Sequence, residues 1–154
     1  MFYVPFWTMV AVFIVMAVAA ISIHKMTFID SLVIVMVIAL VMGSDMLLCK
    51  QFSMYYIVSV QYRGWYSFWS ALLVFPSLAI TFLKFAPKSR YAVMLYVAFW
   101  AFALTLFEIF IVVPYRISVY PKWRIIPWST IVYLLAFTLI YVYHKFLEKK
   151  ITAK

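Results

Sequence analysis

The chain contains few charged residues and almost no acids, which excludes most classes of soluble protein. Of its 154 residues, 11% are charged and 69% are hydrophobic, whereas about 25% of the residues of a soluble domain are charged. With a mean hydropathy of +1.10, we interpret it as an integral membrane protein in contact with the lipid bilayer. Its net charge of +9 comes from short basic groups between apolar runs. That pattern is typical of membrane topology and predicts no nucleic-acid partner.

Cysteine, histidine and glycine are also scarce. The single cysteine, Cys49, excludes an internal disulfide, and the two distant histidines, His24 and His144, form no spaced metal-binding set. Only Gly43 and Gly64 are present, so there is no Gly-rich phosphate loop, and neither an H-E-x-x-H helix nor a paired catalytic carboxylate with a nucleophile occurs. We therefore expect no metal, no cofactor and no enzymatic activity.

Long apolar runs make up most of the sequence. A helix needs about 20 apolar residues to cross the hydrocarbon, and five runs approach or exceed that length. They predict an all-α, polytopic transmembrane bundle in a single domain, residues 1–154, with five spans at 2–23, 28–48, 67–85, 91–113 and 125–143. We expect the first run to be retained, not cleaved after the Ala17–Ala19 stretch, because no Lys or Arg precedes its apolar core.

Two features interrupt this pattern. The apolar segment 54–60, between the second and third spans, is too short to cross the membrane and is rich in neighbouring tyrosine and tryptophan. It predicts either an ordinary aromatic belt at headgroup level or an interfacial or re-entrant element that lines a site. Pro76 lies near the middle of the third span, where it leaves the Leu72 carbonyl without its helical donor, and it is a candidate hinge.

The distribution of basic residues predicts the orientation. If the five spans alternate, eight basic residues fall on the side of the carboxyl terminus and five on the other side. Because Lys and Arg are enriched in cytoplasmic loops, we expect a multi-pass protein of the cell membrane with its amino terminus outside and its carboxyl terminus in the cytoplasm. The lysines of the carboxyl-terminal tail each gain about 1 kcal/mol near anionic lipid.

Beyond Asp30, which stands at the start of the second span, two carboxylates fall inside predicted spans, Asp45 and Glu108. A charge at the centre of a membrane helix costs about 2.5 to 3.5 kcal/mol on insertion scales and is seldom left facing lipid. At 1.5 Å per residue, both acids lie about 8 to 9 Å below their loops. Glu108 shares a helix face with the small residues Ala101 and Thr105, and small residues mark close helix packing. We expect both acids to face the interior.

These acids need polar neighbours at the same depth. Arg63, Arg116 and Arg124 lie on the same side of the membrane in this topology, and a guanidinium binds a carboxylate through two parallel hydrogen bonds. One interpretation is a pair of ion bridges that fix helix packing. The others are a site for a cation, a proton or a cationic ligand, and neutral carboxyls that hydrogen-bond across helices. The predicted polar intramembrane cluster comprises Asp45, Thr105, Glu108, Arg63, Arg116 and Arg124.

Four short motifs follow one another along the chain: "GSDMLLCKQ", "LLVFPSLAIT", "TLFEIF" and "YPKWRIIPWST". They resemble motifs of a family of small four-to-five-helix membrane proteins from spore-forming Gram-positive bacteria. The resemblance implies an acid near the end of the second span, a proline in the third, a Thr-x-x-Glu in the fourth and a Tyr-Lys-Trp loop. Pro121, between Tyr120 and Lys122, departs from the last motif. The family has no assigned activity, so the resemblance implies topology and a polar site without a reaction.

Two functions from different classes remain compatible with these features. The first is a non-enzymatic accessory or assembly subunit, with a protein partner or as a homo-oligomer, because no catalytic set is present. The second is a small transporter or an ion- or proton-conducting unit that uses Asp45 and Glu108. A site of the second kind requires a cavity that water can reach.

Overall fold

The computed structural model describes residues 3–152, apart from the side chains of Arg63 and Thr152. About 80% of it is helical, and five helices are long and apolar enough to span a membrane. We number these spans 1 to 5: Val4–Ile23, Phe28–Gln51, Gly64–Lys84, Arg90–Val112 and Ile125–Ile151. The predicted all-α bundle of five spans is confirmed. The fifth span differs most, since it continues eight residues beyond the predicted end at Tyr143.

The α-helical parts of these spans begin and end at residues that suit those positions. Thr27 forms a capping box with Asp30, because the Thr27 hydroxyl accepts from the Asp30 N–H while the Asp30 carboxylate accepts from the Thr27 N–H. Pro5 occupies the first turn of α1, where its missing N–H costs nothing. The helices are α1 (Val4–Ile23), α2 (Phe28–Asp45), α3 (Arg63–Trp69), α4 (Phe75–Lys84), α5 (Arg90–Phe107) and α6 (Thr130–Thr152).

Four π-helical turns interrupt or extend these helices within the described residues. In a π turn the hydrogen bond runs from residue i to i+5, and such turns occur frequently at functional sites. The second one, Ser70–Val74, immediately precedes Pro76, so the helix already departs from α geometry where the Leu72 carbonyl loses its donor. All four lie in the same half of the bundle: Met46–Gln51, Ser70–Val74, Glu108–Val112 and Ile125–Ser129.

Span 3 is the central helix of the bundle. Its most apolar window is 67% buried, compared with 17 to 33% in the other four spans. Small side chains on span 3 allow its neighbours to approach closely in lipid, and four of them carry buried hydroxyls: Ser67, Ser70, Ser77 and Thr81. The peripheral spans therefore expose broad apolar surfaces, as expected for helices that contact lipid or another protein.

The loops after spans 2 and 4 pair with each other. Strand β1 (Tyr56–Ile57) is antiparallel to strand β2 (Ser118–Val119), with Tyr56 opposite Val119. The segment 54–60 thus contains a short strand followed by a bend, and Ile57 is buried against the bundle. The position of this segment at the membrane interface or in a re-entrant element stays a prediction. Tyr3 lies at the same end, because its hydroxyl donates to the Tyr115 carbonyl. We call this end the loop face and the end that contains residues 24–27 and 85–89 the opposite face.

Candidate functional site: two buried carboxylates bound by tyrosines

Glu108 is buried at the first residue of the π turn in span 4, and it is 4% exposed. Its Oε1 accepts a hydrogen bond from the Tyr120 hydroxyl, and its Oε2 accepts one from the Tyr133 hydroxyl at 3.2 Å. Tyr120 comes from the loop after span 4, whereas Tyr133 comes from span 5. Glu108 therefore connects its own helix to the next helix and to the loop that joins them.

Asp45 occupies the equivalent place on span 2. It is the last residue of α2, directly before the π turn Met46–Gln51, and it is 9% exposed. Its Oδ1 accepts a hydrogen bond from the Tyr55 hydroxyl. Its Oδ2 has no hydrogen-bond partner among the described residues, although the Ser67 side chain lies next to the carboxyl group. Among the described residues, one of the two Asp45 oxygens therefore has a hydrogen-bond donor and the other has none.

The strand pair explains why two tyrosines from distant loops reach both acids. Tyr55 precedes Tyr56, and Tyr120 follows Val119, so the register places Tyr55 and Tyr120 directly opposite each other. Opposite side chains of an antiparallel pair lie on one face, and the two rings have their centroids 6.2 Å apart. The five residues form what we call the carboxylate–tyrosine cluster: Asp45, Tyr55, Glu108, Tyr120 and Tyr133.

The loop tyrosines are held in their protonated, donating form. Burial raises the pKa of the Tyr55 hydroxyl far above its usual value, and the nearby Asp45 carboxylate raises it further. Burial and the Glu108 carboxylate raise the pKa of the Tyr120 hydroxyl in the same direction. Because both hydroxyls keep their protons at neutral pH, each carboxyl group has a permanent hydrogen-bond donor.

Two of the three arginines expected beside the acids, Arg116 and Arg124, lie elsewhere. Arg116 and Arg124 are exposed, and no ion pair among the described side chains joins either of them to Asp45 or Glu108. Burying a tyrosine hydroxyl beside a carboxylate avoids the free-energy cost of removing a second charged group from water. This cost explains why neutral tyrosines, not charged side chains, bind the acids here. The Arg63 side chain lies outside the described residues, so its predicted role stays a prediction.

Thr105 lies near the cluster but does not bind Glu108. It is 3% exposed, its hydroxyl donates to the Ala101 carbonyl at 2.8 Å, and its Oγ1 is 3.0 Å from the Thr130 Oγ1. The predicted small face of span 4 therefore contacts span 5. Thr105 connects the two helices about one turn from Glu108.

Two cavities adjoin the cluster. The larger, about 610 Å³, opens at the loop face, and Tyr120 and Arg116 are among its lining residues. The smaller, about 180 Å³, lies between spans 2 and 3 and is lined by Met42, Asp45, Met46, Cys49, Lys50, Gly64, Ser67 and Phe68. Within residues 3–152, no group of three His, Cys, Asp or Glu side chains is arranged to hold a metal ion.

A third buried acid, Asp30, was not predicted as part of a site. It is 3% exposed at the opposite face, its Oδ2 is 2.5 Å from the Lys84 Nζ, and its Oδ1 is 3.5 Å from the His144 Nε2. Lys84 also donates to the Lys25 carbonyl at 2.8 Å. The signal was present in the sequence as a Thr-x-x-Asp capping pattern. We call Thr27, Asp30, Lys84 and His144 the Asp30 cluster.

No protein family model matches the chain, and no curated protein or solved structure is detectably similar to it. The resemblance to small membrane proteins of spore-forming bacteria accordingly stays a prediction.

Proposed function

We propose that this integral membrane protein is non-enzymatic and acts through its transmembrane surface, as an accessory or assembly subunit or as a homo-oligomer. The observation that supports this most is a packed layer of aromatic side chains from spans 3, 4 and 5 between the two polar clusters. We call these four residues the aromatic layer: Phe82, Tyr96, Trp100 and Phe137.

The aromatic layer is tightly packed. Phe82 is fully buried, and its ring centroid is 4.7 Å from that of Phe137 and 5.1 Å from that of Tyr96. Trp100 contacts both Phe82 and Phe137, with centroid distances of 6.3 and 5.8 Å. The only hydroxyl in the layer, on Tyr96, donates to the Phe82 carbonyl at 3.0 Å. Such packing excludes water from the interior.

The position of the layer argues against a conducting pathway. Trp100 lies eight residues before Glu108 on span 4, about 12 Å along the helix, and Phe137 lies seven residues before His144 on span 5, about 10 Å. No acidic, basic or histidine side chain of residues 3–152 falls between the clusters. An ion crossing this region would lose its hydration without a replacement, which is strongly unfavourable.

The outward surface supports a role in contact with other membrane components. Along span 4, large apolar side chains are 60 to 83% exposed at Tyr91, Met94, Leu95, Phe99 and Phe102. This exposure suits lipid, and it equally suits a neighbouring transmembrane helix. With both buried acids turned inward and bonded to tyrosine, the protein presents a surface that is chemically suited to association within the bilayer.

The mass of the protein in membranes and in mild detergent tests this proposal. We expect chemical crosslinking in native membranes and light scattering after purification to find the same defined oligomer, or the same co-purifying partner. A lone monomer of 18.1 kDa in both settings would contradict the proposal. Proteoliposomes that contain the protein should show no more ion or proton flux than empty liposomes.

A transport function is the second candidate, because the Asp45 Oδ2 lies beside a cavity and has no hydrogen-bond partner among the described residues. In that case proton or cation flux should appear in proteoliposomes and should disappear in Asp45→Asn and Glu108→Gln variants. Flux that is absent from the native chain, or that both variants leave unchanged, removes this candidate.

A further inference from the structure

The cavity between spans 2 and 3 contains two buried polar atoms that no other described residue satisfies. Asp45 is 9% exposed, and its Oδ2 has no hydrogen-bond partner among the described residues. Ser67 is 8% exposed, and its Oγ likewise has no partner at hydrogen-bonding geometry among the described residues, although it lies next to the Asp45 carboxyl group. Both residues line the same cavity. Because buried polar groups in native proteins nearly always have partners, this pair indicates a ligand with hydrogen-bond donors.

A positive charge lies at the same cavity. In a π turn residues five apart are joined by a hydrogen bond and share one side of the helix, and the π turn after Asp45 brings Asp45, Cys49 and Lys50 to the cavity wall. Lys50 is exposed, and its Cε lies 4.0 Å from the position that a Cβ on Gly64 would occupy. The lysine side chain thus runs along the start of span 3, at the end of the cavity nearer the loop face.

The remaining wall is apolar and continues onto the outer surface of the bundle. Met42, Met46 and Phe68 complete the lining, and Met46 and Phe68 are 63% and 45% exposed. Because spans 2 and 3 cross the bilayer, this surface faces lipid chains. The cavity therefore offers a carboxylate and a hydroxyl inside, an ammonium group near the headgroup level, and an apolar rim.

We propose that this cavity binds the headgroup of an aminophospholipid, with its primary ammonium group donating to Asp45 Oδ2 and Ser67 Oγ and its phosphate beside Lys50. The acyl chains would lie along Met46 and Phe68. Lysine is a common phosphate-binding residue because its ammonium group acts as a point charge, and a primary ammonium has three donors for the carboxylate and hydroxyl oxygens.

Size and charge exclude simpler ligands. A volume of about 180 Å³ exceeds the roughly 30 Å³ of a single water and is smaller than the 300 to 1,000 Å³ typical of drug-sized ligands. A bare metal cation would supply no anionic group for Lys50. A choline headgroup has no N–H donor. A soluble zwitterion has the same charged ends but no chains to cover the apolar rim.

Lipid titration of the full-length protein in detergent tests the assignment, with intrinsic tryptophan fluorescence and thermal unfolding as readouts. The probes are phosphatidylethanolamine, phosphatidylcholine and phosphatidylglycerol with identical acyl chains, tail-free glycerophosphoethanolamine, and sodium chloride alone. We expect the ethanolamine lipid to bind about tenfold more tightly than the choline lipid, a ratio typical of one charge-assisted hydrogen bond.

Three variants separate the contacts. Asp45→Asn should abolish the preference for ethanolamine over choline. Ser67→Ala removes one hydroxyl and should reduce this preference about threefold. It tests the same contact if Asp45→Asn does not fold. Lys50→Gln should weaken the binding of all three phospholipids by the same factor and should keep the preference for ethanolamine. It should leave the stability of the lipid-free protein unchanged. Glu148→Gln, which changes an exposed acid at the opposite face, is the control.

Several results would overturn the proposal. These are equal binding of the ethanolamine and choline lipids, an unchanged preference in Asp45→Asn, or equal stabilisation by sodium alone. Saturation by tail-free glycerophosphoethanolamine at the same concentration as the lipid would overturn the lipid assignment. A loss of lipid-free stability in Lys50→Gln would show that Lys50 is a structural partner of Asp45, not part of a lipid site.

Discussion

Tyr55 and Tyr120 lie directly opposite each other across the two-stranded pair at the loop face, and their hydroxyls donate to Asp45 and Glu108 respectively. Two loops that are about 60 residues apart in sequence are thereby bound to two separate spans. The strand pair is only two residues long on each side, so the buried hydrogen bonds hold the loops to the bundle as much as the strands do.

Tyr120→Phe tests the loop contact with the smallest possible change. The variant keeps the ring and removes one donor from buried Glu108, so the free energy of unfolding should fall by about 1 to 3 kcal/mol. Reversible unfolding in mixed micelles gives this quantity. Tyr91→Phe is the matched control, since Tyr91 is 83% exposed, and its effect should stay within about 0.5 kcal/mol. Equal effects in both variants would contradict the assigned contact.

Substitutions at Glu108 separate hydrogen bonding from charge. Glu108→Gln retains an acceptor for one tyrosine, whereas Glu108→Leu leaves the hydroxyls of Tyr120 and Tyr133 buried without an acceptor. We expect Glu108→Leu to lose about 2 to 5 kcal/mol of stability and Glu108→Gln at least about 1 kcal/mol less than that. If the two variants unfold at the same denaturant concentration, the tyrosine contacts do not stabilise the native state.

Asp30→Asn should be among the most destabilising single changes in the chain. It leaves the Lys84 ammonium, 10% exposed, without its counter-ion, and breaking a buried pair costs roughly 3 to 5 kcal/mol. Glu148→Gln is the control, because the Glu148 and Lys145 side chains are 43% and 51% exposed and exposed pairs contribute about 0 to 1 kcal/mol. Thermal unfolding of the two variants side by side gives the comparison, and a similar loss in both would refute a buried Asp30 pair.

The charge distribution predicts which loops are outside the cell. On a Cys49→Ser background, a cysteine introduced by Lys122→Cys should react with a membrane-impermeant maleimide in intact cells. A cysteine introduced by Lys88→Cys, in the loop between spans 3 and 4, should react only after the cells are opened. The reverse labelling pattern would invert the topology.

Sequence alone identified the parts of the fold that depend on local composition. The five spans follow from apolar length, and the start of span 2 at Phe28 follows from the apolar run that begins there. The inward orientation of Asp45 and Glu108 follows from the cost of a charge in lipid. Each of these properties is set by residues close together in the chain.

The partners of the acids depend on contacts between distant loops. Apolar and polar residues do not alternate strongly enough around Tyr56 and Val119 to indicate a strand. The register of the two strands, and therefore the positions of Tyr55 and Tyr120, could not be predicted. The sequence-based prediction paired each acid with a residue of opposite charge, and it therefore named arginines instead of neutral tyrosines. The π turns beside Asp45 and Glu108 also carry no known sequence signal, although they direct both side chains.

A double-mutant cycle between Tyr120→Phe and Glu108→Leu, each of which removes the contact, tests the central claim most directly, namely that a loop tyrosine binds the buried carboxyl group. The four unfolding free energies are measured in the same micelles. We predict that the double variant loses at least about 1 kcal/mol less than the sum of the two single losses, as for residues in contact. Additivity within about 0.3 to 0.5 kcal/mol, the behaviour of independent sites, would contradict the account.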